Sequence, residues 1–228
     1  MEKGIFYGVS VGPGDPELIT LKAINAVRGC EVIAAPKTRG GDEIALDILS
    51  AATPLDGKEI LRIDFAMTRD PEKLRSSHEQ AAAQITEKLA AGKNVAMPNL
   101  GDVSVFSTYC YIADLVREKG YEAVAIPGVT SFCASAAKLG VSLTTMNEPL
   151  HIIPAGGFPL EEALSLPGRK VLMKAGRSLA QVKEALRERG LYDRASLVEN
   201  CGLPGEKVCP SLDDAGGDTG YFATIIVK

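Results

Sequence analysis

The residues best placed to do chemistry are three short glycine turns, each at the end of an apolar run. The first run, Phe6 to Val11, passes into Gly12-Pro13-Gly14-Asp15-Pro16-Glu17-Leu18. Its apolar half reads as a buried strand. Its second half reads as a turn, because Pro13 fixes φ, Gly14 can take positive φ and Asp15-Pro16 favours turn initiation. A strand feeding such a turn and then a helix is how open α/β sheets build ligand sites at strand ends. Two phosphate motifs fail here. A dinucleotide fingerprint from Gly12 needs a glycine where Glu17 stands, and a phosphate loop from Gly8 needs Gly-Lys-Ser/Thr where Pro13-Gly14-Asp15 stands. Asp15 would also set a carboxylate where an anion sits, so the turn suits a neutral or cationic ligand.

The second turn is Asn99-Leu100-Gly101-Asp102-Val103-Ser104, and the third is Pro127-Gly128-Val129-Thr130-Ser131. One glycine turn is weak evidence of a site. Three on the same edge of a sheet predict a shared one. Other chemistries find little support. His78 and His151 lie far apart without ligand spacing, which argues against a protein metal site and a histidine-based relay. The five cysteines (Cys30, Cys110, Cys133, Cys201, Cys209) form no CxxC pair and read as incidental thiols.

The elements that must position these turns alternate regularly. After a helix carrying Leu21, Ile24 and Val27, capped by Asp15 or by Thr20, come strands near 31–36, 60–65, 95–97 and 123–126. Helices near 44–49, 71–91 and 107–119 separate them, and Thr130-Ser131 caps the next helix. This rhythm predicts a mostly parallel α/β sheet. From about residue 150 the spacing becomes hairpin-like, with strands at 151–153, 170–173, 196–198 and 222–227, which predicts a mixed sheet. The expectation is an α/β fold of two α/β domains, 1–126 and 127–228. At 228 residues, 46% hydrophobic and 24% charged, the chain can bury a real core. A net charge of −4 gives no general attraction to nucleic acid or anionic membrane. Glu2 and Lys3 lead straight into a strand and no apolar run reaches membrane-spanning length, so a cytoplasmic location is expected.

These motifs resemble the tetrapyrrole methylases, the class III S-adenosylmethionine-dependent methyltransferases. The resemblance covers essentially the whole chain. It is carried by Gly12-Pro13-Gly14-Asp15-Pro16-Glu17-Leu18 with Thr20-Leu21-Lys22-Ala23, by Gly101-Asp102, by Pro127-Gly128-Val129-Thr130-Ser131 and by Met173 at a strand end. Phe6-Tyr7-Gly8-Val9, Ser107-Thr108-Tyr109, Thr130-Ser131-Phe132 and Leu172-Met173-Lys174 are similar to the subgroup that methylates carbon 20 of precorrin-2 or cobalt-factor II. Two positions depart from the family pattern: Val103 stands where many members have proline, and Ala66 interrupts a common Phe-Pro-Met at 65–67.

The resemblance implies a homodimeric enzyme of cobalamin and porphyrin metabolism, with S-adenosylmethionine held in a cleft between two domains and released as S-adenosylhomocysteine. Carried over onto this chain, the donor contacts are Pro13, Leu100, Gly101, Asp102, Val105, Thr130, Ser131, Met173, Cys201, Ala223 and Thr224. A polycarboxylate tetrapyrrole needs cations at the site, and Lys37, Arg39 and Lys174 follow strand ends. Asp15 and Ser107 complete the substrate candidates; no general base is assigned and no metal ligand is expected. Three alternatives stay open: a sister methylase acting at another ring position or on uroporphyrinogen III, a diphthine synthase, and a non-catalytic binder of the donor or a tetrapyrrole.

Overall fold

A computed structural model describes residues 3–37, 43–66, 68, 70–216 and 219–228, in two compact units, Met1–Thr130 and Ser131–Lys228. The first unit holds strands β1 (Phe6–Ser10), β2 (Val32–Lys37), β3 (Glu59–Asp64), β4 (Val95–Asn99) and β5 (Ala123–Ile126). All pair in parallel, in the order β3-β2-β4-β1-β5. Helices α1 (Leu21–Arg28), α2 (Ile44–Ala52), α3 (Pro71–Ala90) and α4 (Tyr109–Glu118) alternate with them. Phe6, Ala34, Ile63 and Met97 bury one face of the sheet against Ile85 and Leu89 of α3 and Ile112 and Val116 of α4. On the opposite face α1 packs on β1, and α2 on β2 and β4.

The strand order creates a crossing point. The chain leaves β1 toward β2, passing β4, and later leaves β4 toward β5, passing β1. Adjacent strands whose connections depart in opposite directions open a crevice at their carboxyl ends. Both strand-end glycine turns, Gly12–Asp15 and Gly101–Asp102, sit there.

Two prolines extend strands beyond the expected ends. β2 continues past Pro36 to Lys37 and β4 past Met97 through Pro98 to Asn99. The β2–β4 ladder consists only of Val32↔Val95 and Ile33↔Ala96, whereas β2–β3 runs on to Lys37↔Asp64 and β1–β4 to Ser10↔Asn99. Pro36 and Pro98 therefore fall where β2 and β4 have already parted, so their missing N–H groups break no ladder. The sheet is open between these two strands at the edge that carries the glycine turns.

The second unit holds β6 (Leu150–Pro154), β7 (Arg169–Met173), β8 (Ala195–Glu199), β9 (Lys207–Cys209) and β10 (Ala223–Val227), ordered β6-β7-β10-β8-β9. β6 and β7 are parallel and the other pairs antiparallel, giving the mixed sheet expected from the spacing. Helices α6 (Leu160–Ser165) and α7 (Leu179–Glu188) cover Leu172, Leu197 and Ile225 on one face. Helix α5 (Ser131–Leu139) packs on β8, β9 and β10. The α/β fold of two units is as the sequence predicts. Helix α6 and strand β9, with six and three residues, are too short to display a period.

Gly8 in the middle of β1 is a steric requirement. A Cβ there would lie 2.4 Å from the ring of Tyr109, which is itself buried against Phe6 with ring centroids 5.3 Å apart. Gly8→Ala should therefore destabilise the protein by about 1–3 kcal/mol through overpacking. Urea unfolding would read this as a lower midpoint at unchanged slope, and an unaltered midpoint would contradict the packing described.

Candidate active site

The glycine turns of the first unit are fastened to one another by backbone hydrogen bonds. Gly12 N–H donates to Gly101 O (3.2 Å) and Gly101 N–H donates to Gly12 O (2.7 Å), forming an isolated antiparallel bridge. Both residues are left-handed, with φ of 77° at Gly12 and 74° at Gly101, a backbone that glycine adopts without a Cβ penalty. In the first turn the left-handed residue is Gly12 rather than Gly14. Both proposed caps are used: Asp15 accepts from Glu17 N–H (2.9 Å) at a short 3-10 turn, Pro16–Leu18, and Thr20 accepts from Ala23 N–H (3.1 Å) to start α1.

Two buried side chains tie the third strand end to this clasp. Ser10 Oγ donates to Ile126 O (2.7 Å) and accepts from Val103 N–H (2.9 Å), linking the ends of β1, β4 and β5. Asp102 accepts from Ser104 N–H (2.8 Å) and the Ser104 hydroxyl on one oxygen, and from Gly128 N–H (2.7 Å) on the other. Burial alone would raise the Asp102 carboxyl, but the hydrogen bonds from Ser104 and Gly128 outweigh it and hold the group below its usual value. The fit is close: a Cβ on Gly128 would stand 2.4 Å from Ser10 Cβ. At Gly101, by contrast, an added Cβ would meet no atom within 4 Å. Gly12 and Gly101 are themselves buried, yet the clasp keeps unfilled space beside the Gly101 Cα, which is the room that close approach of a ligand needs.

The candidate residues of this unit fall around the clasp. Pro13 is buried in the first turn, while Leu100 and Val105 flank Gly101-Asp102 and are half-buried. Ser107 donates to Asn99 Oδ1 (2.9 Å) and accepts from Tyr109 N–H (3.1 Å), so it anchors the start of α4. Lys37 ends β2 beside the opening between β2 and β4. Thr130 closes this unit. Arg39 lies outside the described residues.

The second unit gathers its own set. Ser131 opens α5. Met173 pairs with Thr224 across β7 and β10, and Met173 O accepts from Ala155 N–H (2.9 Å). Ala223 pairs with Glu199, and its carbonyl accepts from Ala175 N–H (3.1 Å). Cys201 follows the end of β8, and burial pushes its thiol up, so it packs as a neutral group. Lys174 and Asn200, which follow β7 and β8, are left-handed at φ 59° and 49°. Met173, Lys174, Cys201, Ala223 and Thr224 therefore share one end of the second sheet.

Comparison with known proteins places this geometry. The sequence profile of the tetrapyrrole (corrin/porphyrin) methylases matches residues 6–215. The chain belongs to that family. A cobalt-precorrin-2 C(20)-methyltransferase of Salmonella typhimurium is 32% identical, over 99% of this chain and 96% of its own. Among solved structures, a cobalt precorrin-4 methyltransferase of cobalamin biosynthesis superposes with a TM-score of 0.79 at 22% identity, covering 98% of this chain and 94% of that one. The uroporphyrin-III C-methyl transferase of Thermus thermophilus, complexed with S-adenosylhomocysteine, superposes with a TM-score of 0.69 at 24% identity, covering 98% and 97%.

As a tetrapyrrole methylase the chain is an S-adenosylmethionine-dependent methyltransferase. The donor's sulfonium makes its methyl group electrophilic. The protein's part is then to hold donor and acceptor in line, an effect worth roughly 7–11 kcal/mol in well-oriented systems. No group of three or more His, Cys, Asp or Glu that could hold a metal occurs among the described residues. The two departures from the family pattern also acquire a role. Val103 N–H donates to Ser10 Oγ, and Ala66 N–H donates to Ser77 Oγ (3.0 Å); proline could supply neither bond.

Sequence reasoning did not single out Ser10, whose two bonds join three strand ends. A serine closing an otherwise apolar strand was the available signal. Asp102, expected as a donor contact, also has a structural part, since both of its oxygens accept hydrogen bonds from the protein. Since its folded pKa is depressed, the charged carboxylate contributes stability that is present above the ordinary value near 3.8 and lost as pH falls through the lower folded value. Asp102→Asn removes that contribution at every pH. Urea midpoints should differ most between wild type and variant at neutral pH, and the gap should narrow below pH ~4. A gap that stays constant down to pH ~3 would contradict the assigned charge state.

Proposed function

We propose that this enzyme transfers the methyl group of S-adenosylmethionine to carbon 20 of precorrin-2 or its cobalt form. The observation that carries the reading is the 32% identity to the Salmonella enzyme, sustained over 99% of this chain. The subgroup segments are also structural here. Gly8 is the strand position on which Tyr109 packs, Ser107 starts α4, and Met173 pairs with Thr224.

The chemistry asks three things of the chain. Backbone beside Gly101 must be approachable, and the space around its missing Cβ provides that. The strand-end loops must be rigid, and the bonds of Ser10 and Asp102 supply it. The substrate's carboxylates must meet cations on a chain of net charge −4. Lys37 and Lys174 stand at the ends of β2 and β7 to meet them. Asp15 caps its turn through one oxygen. Its position suits contact with the macrocycle's polar rim more than a role as base.

Homodimerisation, carried by the family resemblance, and the cytoplasmic location expected from the sequence complete the proposal. The test is transfer of isotope-labelled methyl from S-adenosylmethionine with purified protein. Precorrin-2, its cobalt form and uroporphyrinogen III are offered side by side. Label should enter carbon 20 of at least one of the first two, and light scattering should give about twice the 24.1 kDa chain mass. Label appearing only in uroporphyrinogen III, or at another ring carbon, would overturn the substrate assignment.

A further inference from the structure

Among the described residues, three non-glycine residues adopt a left-handed backbone: Phe106, Lys174 and Asn200. Each adjoins a residue implied as a donor contact, namely Val105, Met173 and Cys201. Such backbones are disfavoured for residues with a Cβ, and they persist where surrounding structure imposes them, often at functional sites. At Lys174 a glycine would take φ 59° freely. What the position gains from lysine therefore lies in its side chain.

That side chain has a defined seat. The Lys174 ammonium stands 5.7 Å from the ring centroid of Tyr221. Tyr221 is in turn set edge-on against Phe222, with centroids 5.3 Å apart and planes at 76°. The segment carrying these rings is held from several sides. Phe222 O accepts from Asn200 N–H (2.9 Å), and Gly220 N–H donates to the Glu199 carboxylate. A Cβ on Gly176 would lie 1.8 Å from Gly220 O, so backbone packs on backbone there. Tyr221 remains 41% exposed, which leaves the cation above its ring within reach of solvent at the sheet end that carries Met173 and Thr224.

We propose that Tyr221 is a positioning residue that holds the Lys174 ammonium as an anchor for a substrate carboxylate, making this pair a determinant of tetrapyrrole specificity. The inference rests on the substrate class proposed above. An ammonium carries three N–H donors, so one held over an aromatic face by the ring quadrupole can still donate to an incoming carboxylate. Charge-assisted pairing then supplies both affinity and register for a ring system whose rim is uniformly anionic.

The experiment measures steady-state methylation of precorrin-2 and its cobalt form, together with calorimetric binding of S-adenosylhomocysteine. The proteins are wild type, Lys174→Met, Lys174→Gly, Tyr221→Leu and the double variant Lys174→Met/Tyr221→Leu. Lys174→Met should raise the substrate KM about tenfold or more, the effect expected on losing a hydrogen bond to a charged group. The loss should fall on KM rather than kcat, and donor affinity should stay within about twofold, well under the tenfold that 1.4 kcal/mol represents. Tyr221→Leu should raise KM severalfold in the wild type and add nothing in the Lys174→Met background. Lys174→Gly relieves the backbone strain, so its melting temperature should equal or exceed wild type while its KM rises as in Lys174→Met. A lowered melting temperature with unchanged KM in Lys174→Gly would make the residue structural and overturn the proposal. So would equal KM values in wild type and Lys174→Met. Wild-type protein that binds the donor yet methylates neither compound would overturn the substrate reading and the anchor with it.

Discussion

The two hydrogen bonds exchanged by Gly12 and Gly101 set the geometry on which the first unit's site depends. They join loops that leave adjacent strands in opposite directions, across a crevice that the strand order makes unavoidable. Each bond contributes about 0.5–1.5 kcal/mol net, too little to hold two loops against thermal motion unaided. Ser10 and Asp102 make the difference. They fix Val103 and Gly128 to the same point, so that three strand ends form one hydrogen-bonded unit. Left-handed φ at Gly12 and Gly101 is the condition for the bridge, and at Gly101 the missing side chain leaves open space beside the backbone. For methyl transfer, where alignment is the protein's main contribution, a preformed loop cluster of this kind is the feature that counts.

The second unit achieves rigidity by strain and packing. Lys174 and Asn200 keep left-handed backbones at the ends of β7 and β8, and the segment 220–222 is held by Glu199, Asn200 and Gly176. These costs are borne by a core in which Leu172, Leu197, Ile225 and Leu186 are fully buried. The division of labour is physically reasonable. An all-parallel sheet concentrates its loops at one edge, where they can bond to each other. A mixed sheet brings strand starts and strand ends together, so Ala223 and Thr224 at the start of β10 lie beside Met173 and Glu199 at the ends of β7 and β8.

Much of this was legible in the sequence because glycine, proline and capping residues act locally. The alternation of apolar runs with Gly-bearing turns identified the parallel sheet, and Asp15 and Thr20 proved to be successive caps rather than competing ones. The rest depended on long-range contacts that no local pattern encodes. Pro36 and Pro98 signal strand ends in isolation, yet both lie within strands because β2 and β4 have separated there. The structural part of Asp102 was invisible locally, because its partner Gly128 is remote in sequence. Ser10 offered only the local signal of a serine closing an apolar strand, and its role became plain once Val103 and Ile126 stood on either side of it. Val103 and Ala66 looked like departures from a family pattern. Each in fact donates an N–H to a serine that proline could not have reached.

The central claim is that the donor lies against the backbone of the Gly12–Gly101 clasp. It is tested most directly by calorimetric titration of S-adenosylhomocysteine into Gly101→Val. A β-branched residue at φ 74° is strained and fills the space beside the bridge, while the buried strands are untouched. Affinity should fall by about tenfold or more, equivalent to about 1.4 kcal/mol, in a variant whose circular dichroism remains native-like. Wild-type affinity in such a folded variant would contradict the account and place the donor elsewhere.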